Sequence, residues 1–297
     1  MENDKVILIL TGYLDWSKYI ALFLTRIHHS FDLPVTYKGF GSGKRFTLDI
    51  NASVKWILSA MNKNPEIFKS LEQMFSALDS YYNTANYGRH SLKLTDFLYK
   101  LVSSFVFKIY RERYAKKRTY WGPIVPEESK ISDAQITTFV KILMPVVLNG
   151  MYFKAGEGIF SKILQNLAFL RPELVIPPVM ERLFTAFDTL TEPHKLTANM
   201  TSVSSMARSI VHPAGNYCKE SPTQVIPLLM STLPAIDSND VGKSMVAFQL
   251  ISIYCTIIPI VDSSQAGQYY EDLTEEERII CSQTAQFEDF IVQFLDR

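Results

Sequence analysis

The 297-residue sequence has little cysteine and no excess of charge of either sign. Its three cysteines, Cys218, Cys255 and Cys281, are an odd number and lie far apart, which favours a reducing compartment over a disulfide-stabilised fold. Lysine and arginine together number 30, as do aspartate and glutamate. Proteins dedicated to nucleic acids are usually clearly basic, so this balance argues against direct nucleic-acid binding but leaves a local basic patch open.

Long apolar runs are also missing. The longest, residues 246–261, contains Gln249, Ser252 and Pro259 and is shorter than the roughly 20 residues that a membrane-spanning helix needs. The first residues, Met-Glu-Asn-Asp, are acidic where a secretory signal peptide is basic. The sequence therefore predicts no membrane partner, and it predicts a buried helix over 246–261.

Motifs for catalysis or metal binding are incomplete. Residues 39–44, Gly-Phe-Gly-Ser-Gly-Lys, fail the Walker pattern because position 38 is Lys and position 45 is Arg, so a loop between helices is the better interpretation. His28 and His29 are adjacent and have no His or Cys partner at helical spacing, which argues against a metal site. There is no Gly-x-Ser-x-Gly elbow either. We expect a non-catalytic protein that needs no cofactor, although a Cys–His pairing stays open.

Helical periodicity dominates what is present. Apolar residues recur three or four positions apart, as at Ile20, Phe23, Leu24 and Ile27. Prolines separate many of the stretches, in keeping with their tolerance at the first turn of a helix. Ser132 or Asp133, and Thr274 followed by Glu277, are predicted caps. The later predicted helices cover 48–61, 66–80, 91–112, 132–149, 157–170, 173–189, 193–211, 222–236, 241–260 and 275–296.

An internal repeat is the most informative feature. The motif Pro-x-x-Val-Ile-Pro-x-x-Met at 172–180 recurs at 222–230, an offset of fifty residues, and apolar positions after it match at the same offset. Each copy is read as a proline-started helix, a turn and a second apolar helix, which is typical of HEAT or armadillo repeats. One helix pair cannot bury its apolar face alone, so neighbouring pairs stack and share a core. The alternative is an irregular bundle whose proline helices match by accident.

The repeat predicts an all-α fold, an α-solenoid of HEAT/armadillo-like helix pairs. No clear copy occurs in the N-terminal third, so repeats there are degenerate or interrupted by an insertion. We therefore divide the chain into degenerate helical repeats over 1–130, with a basic run at their end, and HEAT-like repeats over 131–297.

The one concentrated basic run comprises Arg111, Arg113, Lys116, Lys117 and Arg118. It follows an apolar helix and precedes Tyr-Trp-Gly-Pro at 120–123. One interpretation is a contact for a polyanion or a nuclear import signal. The other is a solvated helix end, where cations offset the negative end of the helix dipole.

Several stretches resemble the middle region of the proteasome activator complex subunit 4 family, the large single-chain HEAT-repeat caps of the core proteasome. Leu-Arg-Pro-Glu-Leu-Val-Ile-Pro-Pro-Val at 170–179 and Thr-Leu-Thr-Glu-Pro-His-Lys-Leu-Thr-Ala at 189–198 are the most specific. The likeness extends from about residue 30 to the end and is weak around 35–65. Other matching stretches are 111–114, 165–168, 226–230 and 284–290.

The resemblance implies a ring-like dome that sits on the α-ring of the core proteasome. Such caps open the substrate gate and favour ATP-independent degradation of peptides and acetylated proteins such as histones, in the nucleus and cytoplasm, and they act in DNA repair. The cap itself has no peptidase activity. The resemblance also implies inositol phosphate as a ligand of basic openings, for which the run at 111–118 is a candidate contact.

Three departures limit what the resemblance carries over. Family members are several times longer, and the chain stops inside a predicted helix, so we expect a segment of a solenoid that continues beyond it. The family engages the proteasome through a C-terminal tail with a penultimate tyrosine, whereas Tyr269 and Tyr270 are internal. The region that binds acetylated histones lies outside the matching part. A free-standing HEAT-repeat scaffold or transport adaptor is the alternative function, and a hidden enzyme is a third.

Overall fold

The computed structural model describes residues 15–31, 33, 49–62, 64–86, 88–114, 127, 130–153, 158–189, 192–213 and 218–297. These residues form helices and connecting turns, and none of them lies in a β-strand. The chain divides into two compact units, residues 1–166 and 167–297. The predicted boundary between residues 130 and 131 separates degenerate repeats from HEAT-like repeats in the sequence. The division into compact units is of a different kind, so the predicted boundary stays a prediction.

The first unit contains five helices among its described residues, and a sixth helix crosses into the second unit. Short 3-10 turns at Ser17–Tyr19, Asp79–Tyr82 and Thr84–Asn86 accompany them. The helices are α1 (Ile20–Ser30), α2 (Ile50–Ala60), α3 (Glu66–Leu78), α4 (Arg89–Tyr114), α5 (Asp133–Gly150) and α6 (Ile159–Leu170).

Helices of the first unit stack in two alternating rows. The helix α3 packs against both α1 and α5, while α2 packs against α4. Aromatic rings fill the space between the rows: Phe31 and Phe75 lie 5.2 and 6.3 Å from Phe97, and Phe105 stacks on Phe139 at 3.8 Å. Contact between alternate helices is how a solenoid shares one core among successive helix pairs.

Local chemistry fixes the ends of α5. Of the two predicted caps, Ser132 is the one that caps this helix, and it forms a capping box with Gln135 in which each side chain accepts a hydrogen bond from the other residue's backbone N–H. At the other end, a Cβ on Gly150 would lie 2.2 Å from the ring of Phe160, so only glycine allows α6 to approach this closely.

The second unit contains the predicted repeat. Its helices are α7 (Pro172–Thr189), α8 (Pro193–Val211), α9 (Val225–Thr232), α10 (Val241–Ile257), α11 (Ala266–Tyr269), α12 (Glu275–Gln283) and α13 (Phe287–Leu295). The pairs α7–α8 and α9–α10 are the two copies, and each pair is packed together. The pairs also stack on each other, α7 on α9 and α8 on α10. The predicted all-α solenoid of HEAT-type helix pairs is thereby confirmed.

We call the row of α7, α9 and α13 layer A, and the row of α8 and α10 layer B. The helix α13 extends layer A because it packs against α9, while α12 packs against the 3-10 turn Ser221–Gln224 that precedes α9. Thr274 forms the predicted capping box with Glu277 at the start of α12. Layer A of the second unit thus has three members where layer B has two among the described residues.

Three predicted helices of this unit are shorter than expected. The stretch 222–236 forms the 3-10 turn Ser221–Gln224, then α9, then a second 3-10 turn Leu233–Ala235, where Pro227 and Pro234 remove backbone donors. The stretch 241–260 ends at Ile257 because Ile258 precedes Pro259 and adopts an extended conformation. The stretch 275–296 is divided by the 3-10 turn Thr284–Gln286.

Candidate functional site

The predicted basic run lies at the C-terminal end of α4. Arg111 and Arg113 occupy the last turn of this helix and are exposed, where their charges offset the negative end of the helix dipole. Lys116, Lys117 and Arg118 lie outside the described residues. The structure therefore places two of the five predicted cations and does not test whether all five share a surface.

Between the two arginines, Glu112 is buried. Its carboxylate accepts hydrogen bonds from the backbone N–H of Ile131 at 3.0 Å and from the side-chain amide of Asn62 at 3.3 Å. The ammonium group of Lys108, one helical turn earlier, lies 3.3 Å from the same carboxylate. Glu112 therefore joins α4 to Asn62, two residues after the end of α2, and to Ile131, the residue before the cap of α5.

Lys108 is itself largely buried. Burial lowers the pKa of its ammonium group, and the positive charge of Arg111 acts in the same direction, while Glu112 opposes both effects by attraction and by a hydrogen bond. Removing one member of such a pair leaves the other charge buried without compensation, which is strongly destabilising.

Arg113 makes a second connection across the same region. Its guanidinium lies 2.6 Å from the carboxylate of Asp133, the first residue of α5. The two charges suit their helix ends, a cation at the C-terminus of α4 and an anion at the N-terminus of α5. This ion pair and the hydrogen bond from Ile131 to Glu112 hold the end of α4 against the start of α5. Residues 115–130 belong to the sequence that connects the two helices. We call these two contacts the α4–α5 ties.

A row of exposed aromatic residues runs along the last turns of α4. Phe107, Tyr110 and Tyr114 are 66%, 56% and 61% exposed. Their spacing of three and four residues places them on one face of the helix, and the rings of Tyr110 and Tyr114 lie 5.1 Å apart. Arg111 is at the edge of this face. Sequence reasoning identified the cations and missed the aromatic row and Glu112, although helical spacing was available as a signal for both.

Other candidates from the sequence contribute no assembled site. The rings of His28 and His29 lie 6.0 Å apart, and both burial and His29 lower the pKa of His28. Among the described residues, no group of three or more His, Cys, Asp or Glu side chains is arranged to hold a metal ion. The three cysteines are free thiols. The glycine-rich segment 39–44 lies outside the described residues.

Two further features concern membranes and the internal tyrosines. Within the described part of the chain, no helix combines the length and apolar character needed to cross a bilayer. Tyr269 and Tyr270, at the end of α11, are 76% and 63% exposed and lie beside the acidic residues Glu271 and Asp272.

Comparison with known proteins gives one consistent result. A family model described as the mid HEAT repeats region of proteasome activator complex subunit 4 matches residues 71–297. The chain is 43% identical to proteasome activator complex subunit 4 of Homo sapiens over 294 aligned positions, a match that covers 96% of this chain and 16% of the human protein. It is also 43% identical to proteasome activator complex subunit 4B of Danio rerio over 300 aligned positions, a match that covers 100% of this chain and 16% of that protein.

A plant relative is more distant. Proteasome activator subunit 4 of Arabidopsis thaliana is 25% identical over 284 aligned positions, a match that covers 85% of this chain and 15% of the plant protein. The chain therefore spans about a sixth of the length of the curated relatives it matches.

Proposed function

We propose a function from one premise: the chain belongs to the proteasome activator complex subunit 4 family. In this proposal it forms part of the wall of a cap that sits on the α-ring of the core proteasome. The assembled cap opens the substrate gate and promotes ATP-independent degradation of peptides and of acetylated proteins such as histones. The chain supplies surface and curvature to the cap and no catalytic group.

The observation that carries the proposal is the family match over 71–297, which includes both stacked helix pairs of the second unit. In a stack of this kind each helix pair contacts only its neighbours, so the whole stack presents an extended surface and its curvature comes from small rotations between pairs. A wall segment of a large hollow cap needs these two properties.

A chimera tests the proposal. The segment of the full-length human relative that aligns with this chain is replaced by the corresponding residues of the chain, and gate opening is measured as hydrolysis of a fluorogenic peptide by purified core proteasome. We expect the chimera to stimulate hydrolysis to within about threefold of the unmodified human protein. A threefold difference corresponds to about 0.65 kcal/mol. The isolated 297-residue chain should bind the core proteasome weakly and should not stimulate it.

Two results would contradict the proposal. A correctly folded chimera that assembles on the core proteasome and leaves the gate closed would show that this segment cannot replace its counterpart. Strong gate opening by the isolated chain would show that it is an activator in its own right rather than a wall segment. A human protein with the same residues deleted serves as the negative control.

We also propose that the basic run binds a polyanion, with inositol phosphate as the ligand. Arg111 is the exposed guanidinium beside the aromatic row, whereas Arg113 is engaged by Asp133. The contact set is therefore Arg111 with Lys116, Lys117 and Arg118, while Arg113 contributes by fastening the helix end. Phosphate groups are bound most strongly where several cations converge.

Calorimetric titration with inositol hexakisphosphate checks this assignment. The double variant Lys116→Glu/Lys117→Glu should abolish binding, and Arg111→Glu should weaken it by about tenfold, which corresponds to about 1.4 kcal/mol. The control is Lys55→Glu/Lys69→Glu, which reverses two exposed charges on α2 and α3. Unchanged affinity in the first variant would leave the run as a solvated helix end.

We further propose that the protein is present in both the nucleus and the cytoplasm, and that the same basic run acts as its nuclear import signal. The fluorescently tagged chain should accumulate in the nucleus, and Lys116→Glu/Lys117→Glu should reduce the nuclear fraction relative to the Lys55→Glu/Lys69→Glu control. Equal nuclear fractions in the two variants would show that nuclear import does not depend on the basic run.

A further inference from the structure

The connection between α10 and α12 contains no buried residue. It covers residues 258–274, and its only regular element is the four-residue helix α11. Two sets of hydrogen bonds hold it to the following residues. The backbone N–H of Ser263 donates to the hydroxyl of Thr284 at 2.8 Å, and the guanidinium of Arg278 donates to the carbonyls of Glu271 and Leu273, both at 3.2 Å. Because a segment without buried apolar contacts opens at low free energy, this connection can be lifted from the helical stack without exposing its core.

Tyr270, in this connection, differs from the other exposed tyrosines in its backbone. Among the described residues, four further tyrosines are at least half exposed, and all four lie in helical turns: Tyr19, Tyr110, Tyr114 and Tyr269. Tyr270 follows the end of α11 with φ −125° and ψ 111°, an extended conformation, and is 63% exposed. Enzymes that modify a side chain within a protein commonly bind the surrounding segment in extended form, as peptides bind by strand addition. Tyr270 is already in this conformation.

The charges around Tyr270 also set it apart. Glu271 and Asp272 follow it directly, and both are exposed. The exposed tyrosines outside this connection each have a lysine or an arginine as a direct neighbour. Tyrosine kinases that select acidic substrates do so through cations in their own clefts, so charge complementarity favours Tyr270 over the other exposed tyrosines.

A threonine in the same acidic surroundings is not equally available. The hydroxyl of Thr274 accepts a hydrogen bond from the backbone N–H of Glu277 at 3.3 Å and lies 3.1 Å from the carboxylate of Glu277, to which it donates. Modifying this oxygen would break the capping box at the start of α12. Modifying Tyr270 leaves the cap intact, so of these two hydroxyls the phenol is the one that the structure presents to an enzyme.

Leu273 adds a second recognition feature to the same segment. The sequence from 270 to 273 is Tyr-Glu-Asp-Leu, with an aliphatic residue three positions after the tyrosine. In an extended chain these two side chains are separated by roughly 10 Å along the backbone. An SH2 domain binds phosphotyrosine through an arginine in one pocket and takes the side chain three positions later into a second, apolar pocket. The segment offers both of these anchors.

We propose that Tyr270 is a tyrosine phosphorylation site and that the phosphorylated segment 270–273 is bound by an SH2 domain. In the reaction, the phenolic oxygen of Tyr270 forms a bond to the γ-phosphorus of ATP, while the bond from that phosphorus to the leaving ADP breaks. The phenolic proton passes to the catalytic aspartate of the kinase. Binding of the SH2 domain then replaces the exposed hydrogen bonds that Arg278 makes to the carbonyls of Glu271 and Leu273.

Phosphorylation of the purified 297-residue chain tests the site. The chain is incubated with ATP and the catalytic domain of a non-receptor tyrosine kinase that selects acidic substrates, and the phosphorylated residues are mapped by mass spectrometry. Tyr270→Phe should lower kcat/KM for phosphate incorporation by at least about tenfold. The matched control is Tyr269→Phe, which removes the adjacent and more exposed tyrosine and should keep kcat/KM within about twofold.

The acidic residues supply a test of charge. Glu271→Gln/Asp272→Asn should lower kcat/KM for phosphorylation of Tyr270 by about tenfold, because the cations of the kinase cleft lose their partners. Glu275→Gln/Glu276→Gln removes the same number of charges from the first turn of α12 and should change kcat/KM by less than about twofold. Circular dichroism of each variant reports that the helices are intact.

Affinity for an SH2 domain tests the second part of the proposal. The probe is a purified SH2 domain of the class that selects an aliphatic residue three positions after phosphotyrosine. The phosphorylated chain should bind it at least about 100-fold more tightly than the unphosphorylated chain, and Leu273→Ala should weaken binding about tenfold. Ile279→Ala, which truncates an exposed aliphatic side chain of α12 outside the segment, is the control and should bind like the unmodified chain.

Two pairs of outcomes would overturn the proposal. Phosphate on tyrosines other than Tyr270, or an unchanged rate for Tyr270→Phe, would overturn the site. A phosphorylated chain that binds the SH2 domain no better than the unphosphorylated chain, or an unchanged affinity for Leu273→Ala, would overturn the partner. Both measurements are made without the core proteasome, so their failure is distinct from a failure of the gate-opening experiment.

Discussion

The two compact units use the same stacking rule with different side chains. In the first unit, phenylalanine and tyrosine rings fill the core, as in the Phe105–Phe139 and Phe31–Phe97 contacts. In the second unit, the buried residues of α7 and α8 are mostly aliphatic or methionine, and the ring contacts that the structure shows are near the C-terminus, around Phe294. One aliphatic residue can replace another at the same position, so equivalent positions of the two copies stay apolar. The repeat therefore remains visible in the sequence of the second unit.

Aromatic packing explains why the N-terminal third shows no clear repeat. Each ring contact depends on the shape and angle of a particular partner, so equivalent positions in successive pairs diverge. A stack can therefore keep its arrangement of alternating contacts while losing the sequence pattern that reveals it. The following predictions test this contrast, from the largest expected effect to the smallest.

Removing one ring from the first unit should have the largest effect. Phe105 is fully buried and its ring lies 3.8 Å from that of Phe139, so Phe105→Ala should reduce the free energy of unfolding by about 3–5 kcal/mol. Urea denaturation followed by circular dichroism measures the change. Phe107→Ala, two residues away and 66% exposed, is the control and should stay within about 0.5 kcal/mol. Similar losses for both variants would contradict the aromatic core.

Breaking the buried ion pair should come next. Glu112→Gln leaves the ammonium group of Lys108 buried beside a neutral amide, which should cost about 3 kcal/mol. The pKa of Lys108, already lowered by burial, should fall further, because the attraction and hydrogen bond from Glu112 are lost. Denaturation and NMR titration of the lysine measure the two effects.

The exposed pair on the same helix supplies the control. Lys100 and Asp96 have the same i,i+4 spacing and a distance of 2.8 Å, but their side chains are 34% and 41% exposed. Asp96→Asn should therefore change stability by less than about 0.5 kcal/mol. If it equals the effect of Glu112→Gln, burial is not what makes the Glu112 pair important.

A buried tyrosine in each unit allows a direct comparison. The hydroxyl of Tyr82 donates to the carbonyl of Leu94 at 3.0 Å, and that of Tyr254 donates to the carbonyl of Val203 at 3.4 Å. Tyr82→Phe should cost about 1 kcal/mol and Tyr254→Phe less, since its hydrogen bond is longer. Equal losses, or a larger loss at Tyr254, would show that hydrogen-bond length does not distinguish the units.

The same two tyrosines predict a loss of stability at alkaline pH. Burial raises the pKa of both hydroxyls above the ordinary value of 10.0. The unfolded chain then releases these protons before the folded chain does, so their contribution is intact below about pH 10 and declines as pH rises above it. The variant Tyr82→Phe/Tyr254→Phe should show a shallower decline between pH 9 and about 11, measured by urea denaturation at each pH. An unchanged slope would contradict the predicted pKa shifts.

Helix caps should give the smallest effects and the most equal ones. Ser132 and Thr274 form capping boxes at the starts of α5 and α12, one in each unit. Ser132→Ala and Thr274→Ala should each reduce the free energy of unfolding by about 0.5–1 kcal/mol. Because a cap acts through the local backbone, the type of core should not matter. A clear difference between the two variants would show that the caps depend on the packing around them.

Most of the fold could be predicted from the sequence, because helical periodicity and proline positions are local signals. Predicted and observed bounds agree closely for α3, α5, α7 and α8. The breaks around α9 and between α12 and α13 were not predicted, since apolar spacing continues through them while the backbone tightens into 3-10 turns.

The candidate site was less predictable. The cations were evident as a run, but the structural role of Glu112 depends on Asn62 and Ile131, which are 50 and 19 residues away in the sequence. The exposed residues Phe248, Gln249 and Ser252 of α10 were interpreted as part of a buried helix from the composition of the stretch 246–261. The structure shows that only one side of α10, with Ala247, Leu250 and Tyr254, is buried within the described residues.

The α4–α5 ties have a consequence for how the chain tolerates change in length. Glu112 and Arg113 hold the end of α4 against Ile131 and Asp133, so the two ends of the connecting segment are brought together by contacts outside it. The entropy of closing a loop grows only with the logarithm of its length, about 0.6 kcal/mol for each doubling. Insertions into the segment 115–130 should therefore leave the helical stack almost undisturbed. This segment is a suitable place to insert a reporter peptide.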